Sequence, residues 1–218
     1  MLLLLPLSSF LRVFSNPRVV LPILMTLSLF FGGVALYLRM VLLERARPDD
    51  FGPGPTFSLT ERSGQPLSSE ALQGHIWVAN FIFSRCTGPC PLMSQKMGRI
   101  QAETAGTPDI RLVSFSVDPL ADTPDVLKAY ADKYHADPVR WLFLTGGVAE
   151  IYDLVEKGFK LLMGPRPDLT TVGPGDLIIH TTRFVVMDKK GHIRAWLDSL
   201  EPDFHTRMMH TLQALEAE

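Results

Sequence analysis

The 218-residue chain has only two cysteines, Cys86 and Cys90. So few thiols exclude a small scaffold held by a disulfide framework, and their close spacing suggests that the two act together. Basic clusters are missing too: no run of Lys or Arg exceeds the pair Lys189-Lys190, and the formal net charge is −2. Without that electrostatic footprint, no nucleic-acid partner is expected. There is no internal repeat, and the 17 prolines and 16 glycines are too scattered for a low-complexity protein. The 46% hydrophobic content suffices for one sizeable core, so one globular domain with additions is expected.

Charge is also absent from residues 19–38. As a helix rising ~1.5 Å per residue, those twenty residues reach about 30 Å, the thickness of a bilayer's hydrocarbon core. A transmembrane helix is expected, with Pro22 tolerated in its first turn and Arg39 at the interface. A cleaved signal peptide fits worse, because the apolar stretch is too long and no A-x-A-like site follows it. Arg12 and Arg18 on one side nearly balance Arg39, Arg45 and Arg47, offset by Glu44, on the other, so charge does not orient the span.

The chain then divides into an N-terminal segment (1–18), an anchor (19–43), a linker (44–55, ERARPDDFGPGP) and a domain (56–218). Gly, Pro and charge in 44–55 read as a semi-stiff tether. Within the domain, apolar runs at 75–83, 110–117 and 141–144 alternate with helical patterns at 91–106, 124–134 and from 147 to about 159. Thr123-Pro124 has the form of an N-cap and first-turn proline. Two further runs, 182–187 and 193–197, flank Asp188-Lys189-Lys190-Gly191 and predict a β-hairpin. A last helix follows Pro202, with Phe204, Met208, Leu212 and Leu215 on one face. Parallel βαβαβ, a hairpin and a terminal helix predict an α/β, thioredoxin-like mixed sheet flanked by helices.

Both cysteines lie in FIFSRCTGPCP, residues 81–91, between a strand and a helix. Pro91 favours the first helical position, which makes Cys90 the cap and puts Cys86 in the loop before it. Gly88 and Pro89 allow a tight turn that brings two sulfurs together for a disulfide or for one shared ion. The helix N-terminus is expected to favour thiolate. A purely structural bridge over so short a loop constrains the unfolded chain little, so functional thiols are the better reading. They are redox-active, metal-binding or both.

Two sulfurs leave a soft-metal site short of a ligand, most plausibly an imidazole. His192 falls in the hairpin turn, His205 and His210 in the last helix, and His135 at a helix end. His75 begins the strand leading to Cys86, roughly 26 Å from the cysteine loop at ~3.3 Å per residue. His180 differs, because it precedes a strand that neighbours the loop in this topology; the competing reading is a packing histidine. Met93 and Met97, at i and i+4, read as core.

Together, F-x-x-C-x-x-x-C-P at 83–91, SVDPLADTPDVLKAYADKY at 116–134, WLFLTG at 141–146 and the late His180 resemble the SCO/SenC family of membrane-tethered copper proteins. The similarity runs from about residue 56 to the end. It implies a domain facing the periplasm or mitochondrial intermembrane space that binds copper, Cu(I) or Cu(II), through Cys86, Cys90 and His180. It implies a metallochaperone rather than a turnover enzyme, with the copper-A subunit of cytochrome c oxidase, other copper chaperones and the membrane as partners. Delivery of copper and reduction of that subunit's cysteines are both implied. Asp118 matches the family's SVDP aspartate and is implied to orient a ligand or contact a partner; as a residue in its own right it reads as a strand-end turn residue. Two positions depart from the family pattern: Thr87-Gly88-Pro89 stands where proline and an acidic residue are usual, and Ile179 where an aspartate often precedes the histidine. The competing function is a membrane-bound thiol-disulfide oxidoreductase using the same cysteines without copper. A peroxidase-like thiol enzyme is a weaker third.

Overall fold

The computed structural model describes residues 17–45, 48–161 and 181–218. Two compact units are present, the second spanning Pro48–Glu218. The first contains helix α1, Pro17–Arg45. Its stretch Val20–Leu38 has a mean hydropathy of 2.0 and is long and apolar enough to cross a membrane. Because α1 starts at Pro17, Pro22 lies inside the helix rather than in the first turn expected. It removes one amide donor from the ladder there.

The second unit is built on a seven-stranded sheet. Its strands are β1 (Ser58–Glu61), β2 (Pro66–Ser68), β3 (Ile76–Ile82), β4 (Ile110–Ser116), β5 (Trp141–Thr145), β6 (Arg183–Met187) and β7 (Ile193–Asp198). Their spatial order is β2-β1-β5-β4-β3-β6-β7. β3, β4 and β5 are parallel, and the outer strands run antiparallel. The parallel strands read as continuous apolar runs because both faces are covered. On one face, Val78, Ile82, Leu112, Phe143 and Phe184 pack under α2 (Cys90–Glu103), α3 (Pro124–Lys133) and α5 (Phe204–Glu216). On the other, Trp77, Phe81, Phe115 and Phe159 form an aromatic core under α4 (Val148–Asp153). The mixed sheet flanked by helices is as the residue pattern implied.

Thr123 caps α3, its hydroxyl accepting from the Val126 amide at 3.4 Å, with Pro124 in the first turn. The helix expected to reach Phe159 instead ends at Asp153 and continues as a π-helical turn, Leu154–Gly158. Here Gly158 lies against Pro55, where a Cβ would come within 2.6 Å of the proline's. Part of the segment read as a tether is ordered against the domain. The Phe51 amide donates to the Ile193 carbonyl (2.9 Å), the Ile193 amide to Gly52 (2.9 Å), and the Gly54 amide to Gly191 (2.8 Å). Backbone pairing asks little of side chains, so Gly/Pro composition does not prevent it.

Candidate metal centre

β3 and β4 run parallel in register from Ile76 opposite Ile110 to Ile82 opposite Ser116, so both finish at the same end of the sheet. The Val117 amide donates to the Ile82 carbonyl at 2.9 Å and keeps the two outgoing loops together. Carboxyl ends of parallel strands are where open α/β sheets place their ligands. One loop, 83–89, carries Cys86; the other, 117–123, carries Asp118 and Asp122.

The helix after the first loop starts one residue earlier than the sequence implied. Pro89 is its cap, in the right-handed α region, and the Met93 amide reaches the Pro89 carbonyl at 3.0 Å. Cys90 is therefore the first helical residue and Pro91 the second, where a missing amide costs nothing because that position has no intrahelical acceptor. Cys90 is 4% exposed and sits in the core with Ile82, Met93 and Met97, while Cys86 is half-buried against its edge. Both methionines are fully buried core residues, as expected.

Both cysteines are free, and their thiols lie close enough for Cys86 to raise the Cys90 pKa. Burial, reinforced by the adjacent Cys86 sulfur, pushes the Cys90 thiol up to about 12, against the opposing pull of the Phe83 and Cys90 amides. For Cys90 this corrects the expectation of a helix-stabilised thiolate: burial outweighs the helix N-terminus. A Cβ at Gly88 would lie 3.9 Å from Cys86 Sγ, so glycine leaves that side of the sulfur open.

Asp118 is 3% exposed and accepts from Arg85 Nη2 at 2.6 Å, while its carbonyl takes the amides of Ala121 and Asp122 at 3.0 and 2.9 Å. Asp122, wholly buried, accepts from the Ser84 amide (3.1 Å), the Ser84 hydroxyl and the Ser116 hydroxyl (2.6 Å). Of the residues singled out from sequence, Cys86, Cys90 and Asp118 thus meet at one end of the sheet. His180 lies outside the described residues. The antiparallel β3–β6 register pairs Val78 with Val186 and Ala79 with Val185, and its continuation puts Arg183 opposite Phe81, at the end where the cysteine loop departs. His192 Nδ1 and His205 Nε2 are engaged elsewhere, 3.0 Å from Asp50 and 2.8 Å from Glu103.

Sequence reasoning missed Ser84, Arg85, Ser116 and Asp122. The available signal was the spacing of the two aspartates, four apart after a strand and just ahead of a helix cap. Chemically, two adjoining thiols can oxidise to a disulfide or offer two soft donors to a soft cation. Among the described residues no group of three or more His, Cys, Asp or Glu converges to complete such a donor set.

A mixed sheet between two helical layers, with paired thiols at the head of a helix, defines a thioredoxin-like thiol protein. Residues 46–215 match the SCO1/SenC family, and the chain belongs to it. It is 34% identical to the SCO1 protein homolog of Bacillus subtilis over 139 residues, 63% of this chain and 69% of that one. It is 31% identical over 150 residues to a Stutzerimonas stutzeri protein named for copper binding, covering 65% and 69% of the two chains. The structure of BsSco, a member of the Sco family of cytochrome c oxidase assembly proteins in which a disulfide switch is described, superposes with a TM-score of 0.64 at 30% identity, covering 78% of this chain and 98% of BsSco.

Proposed function

We propose that this protein binds one copper ion through Cys86, Cys90 and His180, and either delivers it to the copper-A site of cytochrome c oxidase or reduces that site's cysteines. The closeness of the Cys86 and Cys90 thiols at the head of a helix carries the reading. Two thiolates and an imidazole make a soft, low-coordination set suited to Cu(I), and leave room for an acceptor's ligand during transfer. The arrival of β6 at the cysteine end of the sheet supports His180 as the third donor, since that residue stands three positions before Arg183. The kinship with BsSco and with the Stutzerimonas protein supports oxidase assembly and copper respectively.

In the same reading α1 anchors the domain in a membrane. A helix whose Val20–Leu38 stretch carries no charge and has a mean hydropathy of 2.0 suits an apolar solvent. The domain then faces the periplasm or the intermembrane space, where thiol chemistry and copper transfer take place. A second reading, a copper-free thiol-disulfide oxidoreductase, uses the same two thiols, which are both free.

Copper titration of the reduced full chain in detergent, with and without His180→Ala, separates these. One ion per wild-type chain is expected. Cu(II) affinity should fall in the variant by more than the ~10–100-fold that losing an outer-shell partner costs, while two thiolates largely retain Cu(I). Equal Cu(II) binding by both proteins excludes His180 as a ligand, and no binding by the wild type leaves the oxidoreductase reading.

A further inference from the structure

We propose that Asp122 is the positioning residue of the thiol pair: its buried carboxylate fixes the backbone two residues before Cys86 and thereby sets where that sulfur stands relative to Cys90. For copper affinity the inference rests on the function proposed above; for the thiols it does not.

Taking a carboxylate out of water costs several kcal/mol, a penalty that recurs only where hydrogen bonds offset it. Asp122 is 0% exposed and accepts from three donor groups, two on the cysteine loop and one at the end of β4. Two come from Ser84, one through its amide and one through its hydroxyl, and the third from Ser116 at the end of β4. The turn beginning at Asp118 brings Asp122 there, with the Asp122 amide 2.9 Å from the Asp118 carbonyl. The same turn grips the next residue of the cysteine loop, because the Asp118 carboxylate holds the Arg85 guanidinium. Residues 84 and 85 are therefore both tied to one short segment of another loop. Cys86 follows directly.

Cys90 is held differently. It sits in the core with Met93 and Met97 and is the first residue of a fourteen-residue helix. One sulfur is fixed by the core and the other by Asp122 and Asp118, so the geometry of the pair depends on the 118–122 turn. Asparagine is a poorer fit at position 122: it loses the charge and one acceptor oxygen, and the hydroxyl that its NH2 faces must turn from donor to acceptor.

The experiment compares the full chain in detergent with Asp122→Asn, Ser84→Ala and Ser116→Ala. Ser84→Ala leaves the carboxylate in place and removes one bond to the cysteine loop; Ser116→Ala removes a bond that does not reach that loop. The metal-free readout is equilibrium with glutathione, in which two protein thiols and one oxidised glutathione give one protein disulfide and two reduced glutathione. Asp122→Asn and Ser84→Ala should shift this equilibrium toward the dithiol, because a loosened Cys86 meets Cys90 less often, and should lower Cu(I) affinity about tenfold, as loss of other outer-shell partners does. Ser116→Ala should change both far less. Unchanged equilibrium and affinity in folded Asp122→Asn and Ser84→Ala, whatever their melting temperatures, would show that Asp122 only holds the fold. If Asp122→Asn does not fold, Ser84→Ala decides alone. A shifted thiol equilibrium in a protein whose wild type binds no copper overturns the copper reading and leaves the positioning role standing.

Discussion

Two cysteines four positions apart occupy opposite environments. Cys90 is buried among aliphatic and thioether side chains that disfavour a charge, whereas Cys86 is half-buried beside a glycine that keeps it open. The first sulfur to meet an incoming reagent, ion or disulfide is therefore Cys86. In the reduced, metal-free chain at neutral pH, iodoacetamide should label Cys86 first, with Cys90 modified at least about tenfold more slowly because its thiol is both shielded and protonated. Peptide mass mapping over a time course checks this; equal rates would mean that the loop opens freely. That the two residues form a pair was legible in their spacing. Their difference was not, because Cys90's burial comes from Ile82 of β3 and other packing partners that no local pattern places beside it. Asp122 escaped for the same reason: its donors Ser84 and Ser116 belong to two other segments.

At the scale of elements, what was legible followed from local rules. The parallel strands announced themselves as apolar runs, and α3 by the cap and proline that begin it. What escaped was set by contacts distant in sequence: the π-helical turn against Pro55 and the strand-like pairing of 51–54 with 191–193. The connection between α3 and β5 shows how much one side chain can organise. The Asp137 carboxylate accepts the amides of Val139 and Arg140 at 2.8 and 2.9 Å, while the Asp137 amide donates to Gln101 Oε1 at 2.8 Å. Those amides, the Arg140 one foremost, hold its pKa below the ordinary 3.8. A group with a lowered folded pKa adds stability that is present above 3.8 and lost as pH falls through the folded value. Asp137→Asn should therefore flatten the acid limb of the melting temperature against pH below about 4, leaving the neutral-pH value within roughly 1 kcal/mol of wild type. Thermal melts of both proteins between pH 2.5 and 7, taken in ~0.5-unit steps, measure this, and parallel acid limbs would exclude Asp137 as a contributor.

Across the whole Pro48–Glu218 unit, segments remote in sequence are joined by one side chain. The Arg194 side chain is 7% exposed. Its Nε donates to the Asp49 carbonyl at 3.0 Å. Nη1 donates to Asp188 and Glu218 at 2.9 and 2.8 Å, and Nη2 to the Pro48 carbonyl and Glu218 at 2.9 and 2.8 Å. All five guanidinium hydrogens are used, and the carboxylates, Glu218 first, raise its pKa further above the usual arginine value. Residues 48–49, the hairpin turn and Glu218 are thus fastened at one point. That point lies near Ile193, which pairs with Met187, at the end of the β6–β7 hairpin away from Arg183 and the cysteine loop. Stability and thiol chemistry should therefore separate. Arg194→Met keeps the stem but strands two carboxylates and two carbonyls, and should cost about 3 kcal/mol, or roughly 6–12 °C in Tm. Arg194→Lys keeps a charge without the planar fork and should recover less than half of that loss. The glutathione equilibrium of Cys86 and Cys90 should stay at its wild-type value in both variants. A change in that equilibrium would mean that the two ends of the sheet are coupled; an unchanged Tm would mean that the five bonds add no net stability.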